Sequence, residues 1–144
     1  MTGESQREFV DANVLVYAFD SSARRKQQTA AALRERLWES NTGCLSVQVL
    51  QEFFVTVTGK VAKPLTTEEA TAHVRDLSAW RVFAPRPDDV LAAIALHTQA
   101  KIAFWDAMIV VAAIDSGCDV LWTEDLTDRQ RLRGVEIRNP FTDR

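Results

Sequence analysis

The acidic residue Asp11 has an unusual setting for a charged side chain. It lies in the apolar run FVDANVLVYAFD, with Phe9 and Val10 before it and Val14 shortly after it. Burying a carboxylate is costly unless another group pairs with it. The run therefore raises the question of what pairs with Asp11, and the other acids of the chain suggest a metal ion held between several carboxylates.

A second acid, Asp106, begins the segment WDAMIVVAAIDSG. This segment is apolar nearly all round, which predicts a buried helix. The dipole favours a negative charge in the first turn of a helix, so Asp106 could be a simple helix-terminal charge or cap. A cap does not require so apolar a setting, and the setting therefore favours a ligand.

The third acid, Glu52, lies on a helix predicted over residues 47–59. Apolar residues spaced by three and four positions predict the buried face of this helix, and they are Val47, Leu50, Phe54 and Val57. Glu52 falls on the opposite side, between Gln48 and Thr56. A solvated polar face explains Glu52 taken alone, and a ligand role depends on the other acids.

The fourth acid, Asp125, lies in the loop TEDLTD after an apolar strand. A turn or helix-cap residue is an equally simple interpretation of Asp125 by itself. Asn13, two positions after Asp11, could likewise be only a cap. None of these residues is decisive alone.

Together the acids predict a cluster of three or four carboxylates drawn from distant parts of the chain. Such a cluster repels itself unless a cation neutralises it. Oxygen ligands suit Mg²⁺ or Mn²⁺ rather than zinc, and Cys44 and Cys118 are not spaced as a zinc site. A water on such an ion can act as a nucleophile while the ion screens a phosphodiester.

The segments between these acids alternate between strand and helix patterns. We expect strands at 8–10, 42–46, 81–85, 119–123 and 135–139, a short helix or turn at 12–19, and helices at 24–40, 47–59, 66–80, 88–101 and 105–117. This alternation predicts an α/β structure with a central, mainly parallel sheet and helices on both faces. Sites in such sheets form beyond the carboxyl ends of the strands, where Asp11 and Asp125 would lie.

Length and charge narrow the class of protein. The chain has 144 residues, of which 47% are hydrophobic, and we expect one domain over residues 1–144 with a short flexible leader at 1–7. No apolar run approaches the roughly 20 residues of a membrane span, and the first residues do not resemble a signal peptide, so we expect a cytoplasmic protein without a membrane partner. The net charge of −3 argues against binding nucleic acid by bulk charge.

Four motifs, in this order, resemble those of the PIN-domain nucleases: FVDANVLVYAFD, QEFFVTV, FWDAMIVVAAIDSGC and LWTEDL. Within that family the chain is most similar to the VapC-like toxins of bacterial toxin–antitoxin pairs. The resemblance runs from about residue 8 to the end of the chain. The first motif and the WDA helix are specific, whereas QEF alone is weak. The resemblance implies a three-layer α/β/α sandwich with a carboxylate pocket at the carboxyl edge of a mainly parallel sheet.

The same resemblance implies roles for particular residues. The acids of the family correspond to Asp11, Glu52, Asp106 and Asp125, and its supporting polar positions correspond to Asn13 and Thr123. Asp11 and Asp106 would hold Mg²⁺, or Mn²⁺ in its place, most directly, and the other two acids would complete the pocket, often through water. Ala103 and Arg129 depart from the family pattern, in which serine and glycine respectively are common.

Family members hydrolyse RNA, usually form homodimers and are silenced by an antitoxin whose C-terminal segment fills the groove. The leading hypothesis is therefore a Mg²⁺-dependent endoribonuclease of the toxin type that leaves a 5′-phosphate and a 3′-hydroxyl. One alternative is an aspartyl-phosphate phosphotransferase with Asp11 as nucleophile, although Asn13 stands where a second acid would be needed. A second alternative is a non-catalytic interaction module.

An acidic pocket in an acidic protein requires local cations to hold RNA. Two basic stretches follow the first and fourth motifs, and they provide the candidates Arg24, Arg25, Lys26, Arg129, Arg131 and Arg133. We expect both stretches to begin near the carboxyl edge of the sheet. Solvated surface charge is the alternative interpretation.

Overall fold

The computed structural model describes residues 6–142. The predicted leader lies outside this range apart from Gln6 and Arg7, which belong to no helix or strand. The strands are β1 (Glu8–Val10), β2 (Gly43–Ser46), β3 (Arg81–Phe83), β4 (Val120–Trp122), β5 (Arg131–Leu132) and β6 (Val135–Arg138). The helices are α1 (Ala12–Ala18), α2 (Arg25–Ser40), α3 (Val47–Gly59), α4 (Thr67–Leu77), α5 (Pro87–Ala100) and α6 (Phe104–Asp115).

The strands form one sheet in the order β3-β2-β1-β4-β6-β5. Neighbouring strands are parallel except for β5 and β6, which form a hairpin. The chain runs from β1 outward to β2 and β3, and then returns past β1 to form β4. The strand order therefore reverses between β1 and β4.

The helices cover both faces of the sheet. Helices α1 to α4 pack against one another as one layer, and α5 packs against α6 as the other. The predicted three-layer α/β/α sandwich with a mainly parallel sheet is thus confirmed. Every predicted strand and helix is present, whereas β5 was not predicted because a two-residue strand is too short to show an alternating pattern.

Local sequence explains where the helices that flank the site begin. The hydroxyl of Ser46 accepts a hydrogen bond from Val49 N at 3.3 Å and starts α3 directly after β2. Thr66 and Glu69 form a capping box at the start of α4, in which they exchange hydrogen bonds of 2.9 and 3.1 Å. Such caps satisfy backbone N–H groups that have no partner within the helix.

Helix α6 lies in the core, as its composition predicts. All seven residues from 107 to 113 are buried. Cys44 and Cys118 are buried free thiols. No single helix within residues 6–142 is long and apolar enough to cross a membrane, and only α5 and α6 taken together, bent by 118°, reach that length and composition.

The buried face of α3 lies about a quarter of a turn from the predicted one, and of the four predicted residues only Val57 is fully buried. The buried residues are Val49, Phe53 and Val57, whereas Val47 is 37% exposed. Apolar residues occur nearly all round this helix, so spacing alone does not define its inner face. Leu50 and Phe54 instead border an apolar groove of about 400 Å³ between α3 and α4.

One charged residue, Glu8, is buried in β1. Arg36 of α2 donates to both of its carboxylate oxygens at 2.8 and 2.9 Å, and Trp122 Nε1 donates at 2.8 Å. Burial raises the pKa of Glu8, but the hydrogen bonds of Arg36 and Trp122 outweigh it and hold the pKa below its usual range. The central strand is therefore tied to α2 and to β4 by a carboxylate that stays ionised.

Candidate active site

The reversal of strand order brings the carboxyl ends of β1 and β4 side by side. Asp11 N donates to the carbonyl of Trp122 at 3.0 Å. Asp11 directly follows β1 and caps α1, and Thr123 directly follows β4. Ligands bind outside the carboxyl ends at such a switch point in open α/β sheets, so the fold itself indicates a site here.

The Asp11 side chain is held on two sides and is only 5% exposed. One carboxylate oxygen accepts a hydrogen bond from Ala12 N at 2.7 Å, and the other accepts one from the Thr123 hydroxyl at 2.9 Å. Burial, with smaller contributions from the charges of Asp125 and Glu52, raises the pKa of Asp11 to about 7 against the opposing effect of these hydrogen bonds. An incoming cation would remove this penalty.

Thr123 connects the polar groups around Asp11. It is fully buried, and its hydroxyl accepts hydrogen bonds from Asp125 N at 3.1 Å and from the Asn13 amide at 3.3 Å while donating to Asp11. The Asn13 side-chain oxygen in turn accepts from Glu124 N at 3.4 Å. The structure thus places both predicted supporting residues between α1 and the loop after β4, where they position Asp11 and Asp125.

The other two acids approach from the helix layers. Glu52 lies on the exposed face of α3, yet partial desolvation of its carboxyl raises its pKa. A hydrogen bond with Gln48 opposes this rise, and the charges of Asp125 and Asp106 add to it. Asp106 lies in the first turn of α6, where burial and the charge of Asp125 raise its pKa. Asp125 therefore acts electrostatically on each of the other three acids.

Two cavities adjoin at Asp125. The first has a volume of about 440 Å³ and is lined by Asp11, Glu52 and Asp125 among others. The second has a volume of about 500 Å³ and is lined by Asp106 and Asp125. The structure thus brings Asp11 and Glu52 together in one cavity and places Asp106 in the neighbouring one, with Asp125 shared.

The chemistry of these side chains fits a hard divalent cation. All four groups are carboxylates, three of them have raised pKa values, and none forms an ion pair within residues 6–142. In the same part of the chain, no three His, Cys, Asp or Glu side chains are arranged to hold one ion by themselves. An ion at this site would therefore rely on water for part of its coordination, which Mg²⁺ commonly does.

Several residues of the first cavity were missed at the sequence level. Thr56 and Lys60 line it together with Tyr17 and Asp20. Glu52, Thr56 and Lys60 are spaced by four residues, so they share one face of α3. That spacing is a pattern from which Thr56 and Lys60 could have been predicted.

The first basic stretch lies beside the site but is partly engaged in structural contacts. Lys26 Nζ pairs with Glu124 at 2.6 Å and lies 4.8 Å from the ring centre of Tyr17. Arg24 and Arg25 are exposed at the start of α2. Lys26 therefore ties α2 to the loop that carries Asp125, and the two arginines remain predicted RNA contacts.

The second basic stretch begins near the site and then leaves it. Arg129 N donates to the carbonyl of Ile137 at 2.7 Å, and Arg131 pairs with Glu136 at 3.5 Å. Arg133 lies in the turn between β5 and β6, at the amino edge of the sheet, and it donates to Gln99 at 2.7 Å. The hairpin thus places the backbone of Arg133 at the amino edge, whereas its guanidinium contacts Gln99, next to Ala100 and Lys101 of the second cavity. Arg133 therefore remains a predicted RNA contact.

The parallel sheet with acids gathered at its switch point defines an α/β protein with an acidic carboxyl-edge site. The PIN domain model matches residues 9–131, a range that contains all four predicted acids. The match spans most of the chain, and the protein belongs to the PIN-domain family. No curated protein matches the chain by sequence.

Solved structures share this fold at low sequence identity. A chain of a toxin–antitoxin complex from Klebsiella pneumoniae has a TM-score of 0.67 at 19% identity, covering 93% of this chain and 98% of that chain. DNA-bound VapBC from Salmonella typhimurium has a TM-score of 0.65 at 19% identity, covering 94% of this chain and 99% of that chain. VapC20 of Mycobacterium tuberculosis, a sarcin–ricin loop cleaving toxin, has a TM-score of 0.60 at 17% identity, covering 79% of this chain and 86% of that chain.

Proposed function

We propose that this protein is a Mg²⁺-dependent endoribonuclease of the toxin type, with Mn²⁺ able to replace Mg²⁺. The observation that carries the proposal is the buried carboxylate of Asp11, whose pKa is raised to about 7 at a cavity that also contains Glu52 and Asp125. A divalent cation would stabilise the ionised form of such a carboxylate, which is unfavourable in the metal-free protein. Membership of the PIN-domain family and the likeness to a sarcin–ricin loop cleaving toxin support RNA as the substrate.

Asp11 and Asp106 would hold the ion, with Glu52 and Asp125 completing its surroundings through water. The bound ion supplies positive charge for the phosphodiester and lowers the pKa of a water molecule. Thr123 and Ala12 N fix the orientation of Asp11, so little reorganisation is needed during the reaction. The raised pKa of Glu52 suits it to accept a proton from the attacking water. In-line attack on phosphorus then leaves a 5′-phosphate and a 3′-hydroxyl.

The phosphotransferase alternative is less well supported. It requires Asp11 to attack phosphorus as a nucleophile. Both oxygens of Asp11 accept short hydrogen bonds, from Ala12 N and Thr123, and the side chain is nearly inaccessible. These contacts suit a carboxylate that stays in place and binds a cation better than one that must reach a phosphoryl group.

The test is cleavage of a 5′-labelled single-stranded RNA in Mg²⁺, Mn²⁺ or EDTA. We expect metal-dependent products with 5′-phosphate ends, and loss of cleavage in Asp106→Asn. Asp119→Asn is the matched control, since it makes the same change on an exposed side chain beside β4 at the amino edge. Release of inorganic phosphate from acetyl phosphate, without RNA cleavage, would instead favour the phosphotransferase.

We also propose an antitoxin partner, a homodimer and a cytoplasmic location. The support is the likeness to chains of toxin–antitoxin complexes. Exposed apolar side chains such as Leu91, at 64%, and Val55, at 52%, are compatible with protein contacts. The protein encoded by a neighbouring reading frame should bind the chain and inhibit RNA cleavage, and equilibrium sedimentation should report a dimer. A monomer that no such protein inhibits would contradict the proposal.

A further inference from the structure

Each of the two cavities that share Asp125 contains one lysine. Lys60 lines the first cavity, with Asp11 and Glu52, and Lys101 lines the second, with Asp106. No arginine and no other lysine lines either cavity among the residues that the structure describes. The acids therefore lie between two cations that approach from different helices, one at the end of α3 and the other at the end of α5.

Among the described residues, these lysines have no acidic partner, a property that they share with Arg24 and Arg25. Lys26, Arg36, Arg131 and Arg138 are all held in ion pairs with glutamates. Over residues 6–142, no hydrogen bond or ion pair is formed by the ammonium group of Lys60 or Lys101. Both side chains are exposed, so their charge is available to an anion that enters the cavities.

The backbone at Lys101 strengthens the case for a role other than folding. Lys101 ends α5 with φ of 55° and ψ of 43°, the left-handed conformation. Glycine is the usual residue at such a helix end because a side chain is unfavourable there. The chain carries a lysine at a position where glycine would be more stable, and the lysine side chain lines the cavity of Asp106.

We propose that Lys60 and Lys101 bind the RNA phosphates on the two sides of the cleaved bond. The strand then crosses the acids from one cavity to the other, with the scissile phosphodiester near Asp125. Phosphate contacts fix the position of a strand without reading its sequence. This inference rests on the proposed ribonuclease function and gives it a strand path across the acids.

The two lysines would also offset the repulsion between the four acids and the RNA strand. A polyanion is repelled by four acids, and a bound divalent ion neutralises only part of their charge. Flanking ammonium groups attract the phosphates next to the scissile one and leave the scissile phosphate to the metal. Because each contact displaces counterions from the strand, each also contributes to the salt dependence of binding.

The first experiment measures binding of a single-stranded RNA in Ca²⁺ over a salt series, for Lys60→Gln, Lys101→Gln and the double variant. We expect each single change to weaken binding about tenfold and to lower the slope of log K against log salt by about 0.7. Lys63→Gln is the matched control, since Lys63 is exposed near Lys60 but lines neither cavity. Lys101→Gly should weaken binding equally without lowering Tm, which separates charge from folding.

The second experiment assigns each lysine to one side of the cleaved bond. RNA oligonucleotides carry a single uncharged methylphosphonate on the 5′ or the 3′ side of that bond. Wild-type cleavage should slow with either substitution, Lys60→Gln should be insensitive to one of them, and Lys101→Gln should be insensitive to the other.

The outcomes distinguish the two proposals. If wild type cleaves RNA but the lysine variants keep its affinity and salt slope, the strand path is wrong while the ribonuclease function stands. Equal losses in Lys63→Gln, or insensitivity of both variants to the same methylphosphonate, would also overturn the path. If wild type neither binds nor cleaves RNA in Mg²⁺ or Mn²⁺, both proposals are wrong.

Discussion

Replacing Asp11 by asparagine should stabilise the metal-free protein at alkaline pH. Folding raises the pKa of Asp11 from 3.8 to about 7, so the native state holds a proton that the unfolded chain releases. This contribution to stability is fully present below pH 4 and is lost as the pH rises through 7. The ionised carboxylate at pH 8 therefore destabilises the native state by about 4 kcal/mol, at about 1.4 kcal/mol per pKa unit.

Asparagine keeps the shape of the side chain and removes this penalty. Its oxygen can still accept the hydrogen bond from Ala12 N, but its amide group would face the Thr123 hydroxyl, whose lone pairs already accept from Asp125 N and Asn13. The lost hydrogen bond costs about 1 kcal/mol. The expected net gain is about 3 kcal/mol at pH 8 and roughly half a kcal/mol at pH 5.

Thermal unfolding in EDTA measures this difference. At about 3 °C per kcal/mol for a chain of this size, Asp11→Asn should melt roughly 9 °C above wild type at pH 8 and within about 2 °C of it at pH 5. The same variant should lose RNA cleavage. Asp119→Asn is the control and should follow wild type at both values. A gain in Asp11→Asn that does not change with pH would show that Asp11 titrates normally, and the argument for a cation at this carboxylate would fail.

Three further predictions concern the metal, the central strand and the sheet edge. Millimolar Mg²⁺ or Mn²⁺ should raise the Tm of wild type more than that of Asp106→Asn, and equal shifts would place the ion elsewhere. Glu8→Gln should lower the free energy of unfolding in denaturant by about 2 kcal/mol at pH 7, because it weakens the paired hydrogen bonds from Arg36. This difference from wild type should shrink as acid protonates the wild-type carboxylate. A difference that does not depend on pH would contradict this. Gly43→Ala should cost about 1–3 kcal/mol, since the added carbon would meet the ring of Trp80 at 2.6 Å; a neutral result would show that the ring moves freely.

The sequence was sufficient to predict where the acids would lie. Asp11 and Asp125 each follow an apolar strand, and a parallel sheet brings the carboxyl ends of its strands to one edge. Helix α6 is so apolar that its sequence predicts a buried position. Asp106 lies in its first turn and was therefore predicted to lie in a buried setting. These inferences depend on local patterns that tertiary contacts reinforce.

Contacts between distant residues could not be predicted in the same way. Lys26 pairs with Glu124, a residue 98 positions away, and this contact depends on how α2 crosses the loop after β4. The β5–β6 hairpin, whose turn contains Arg133, includes a two-residue strand with no periodic pattern. The inner face of α3 was wrong for a related reason, since apolar residues nearly all round a helix leave its orientation to its neighbours.

The hydrogen bond between Thr123 and Asp11 joins residues 112 positions apart in the sequence. During translation, β1 therefore leaves the ribosome well before the strand that pairs with it on that side. At about 5–20 residues per second, the delay is roughly ten seconds. Throughout this interval Asp11 has neither its hydroxyl donor nor Asp125 beside it, so the site is incomplete in the nascent chain. The strand order thus makes completion of the site a late event that requires β4 and the loop after it.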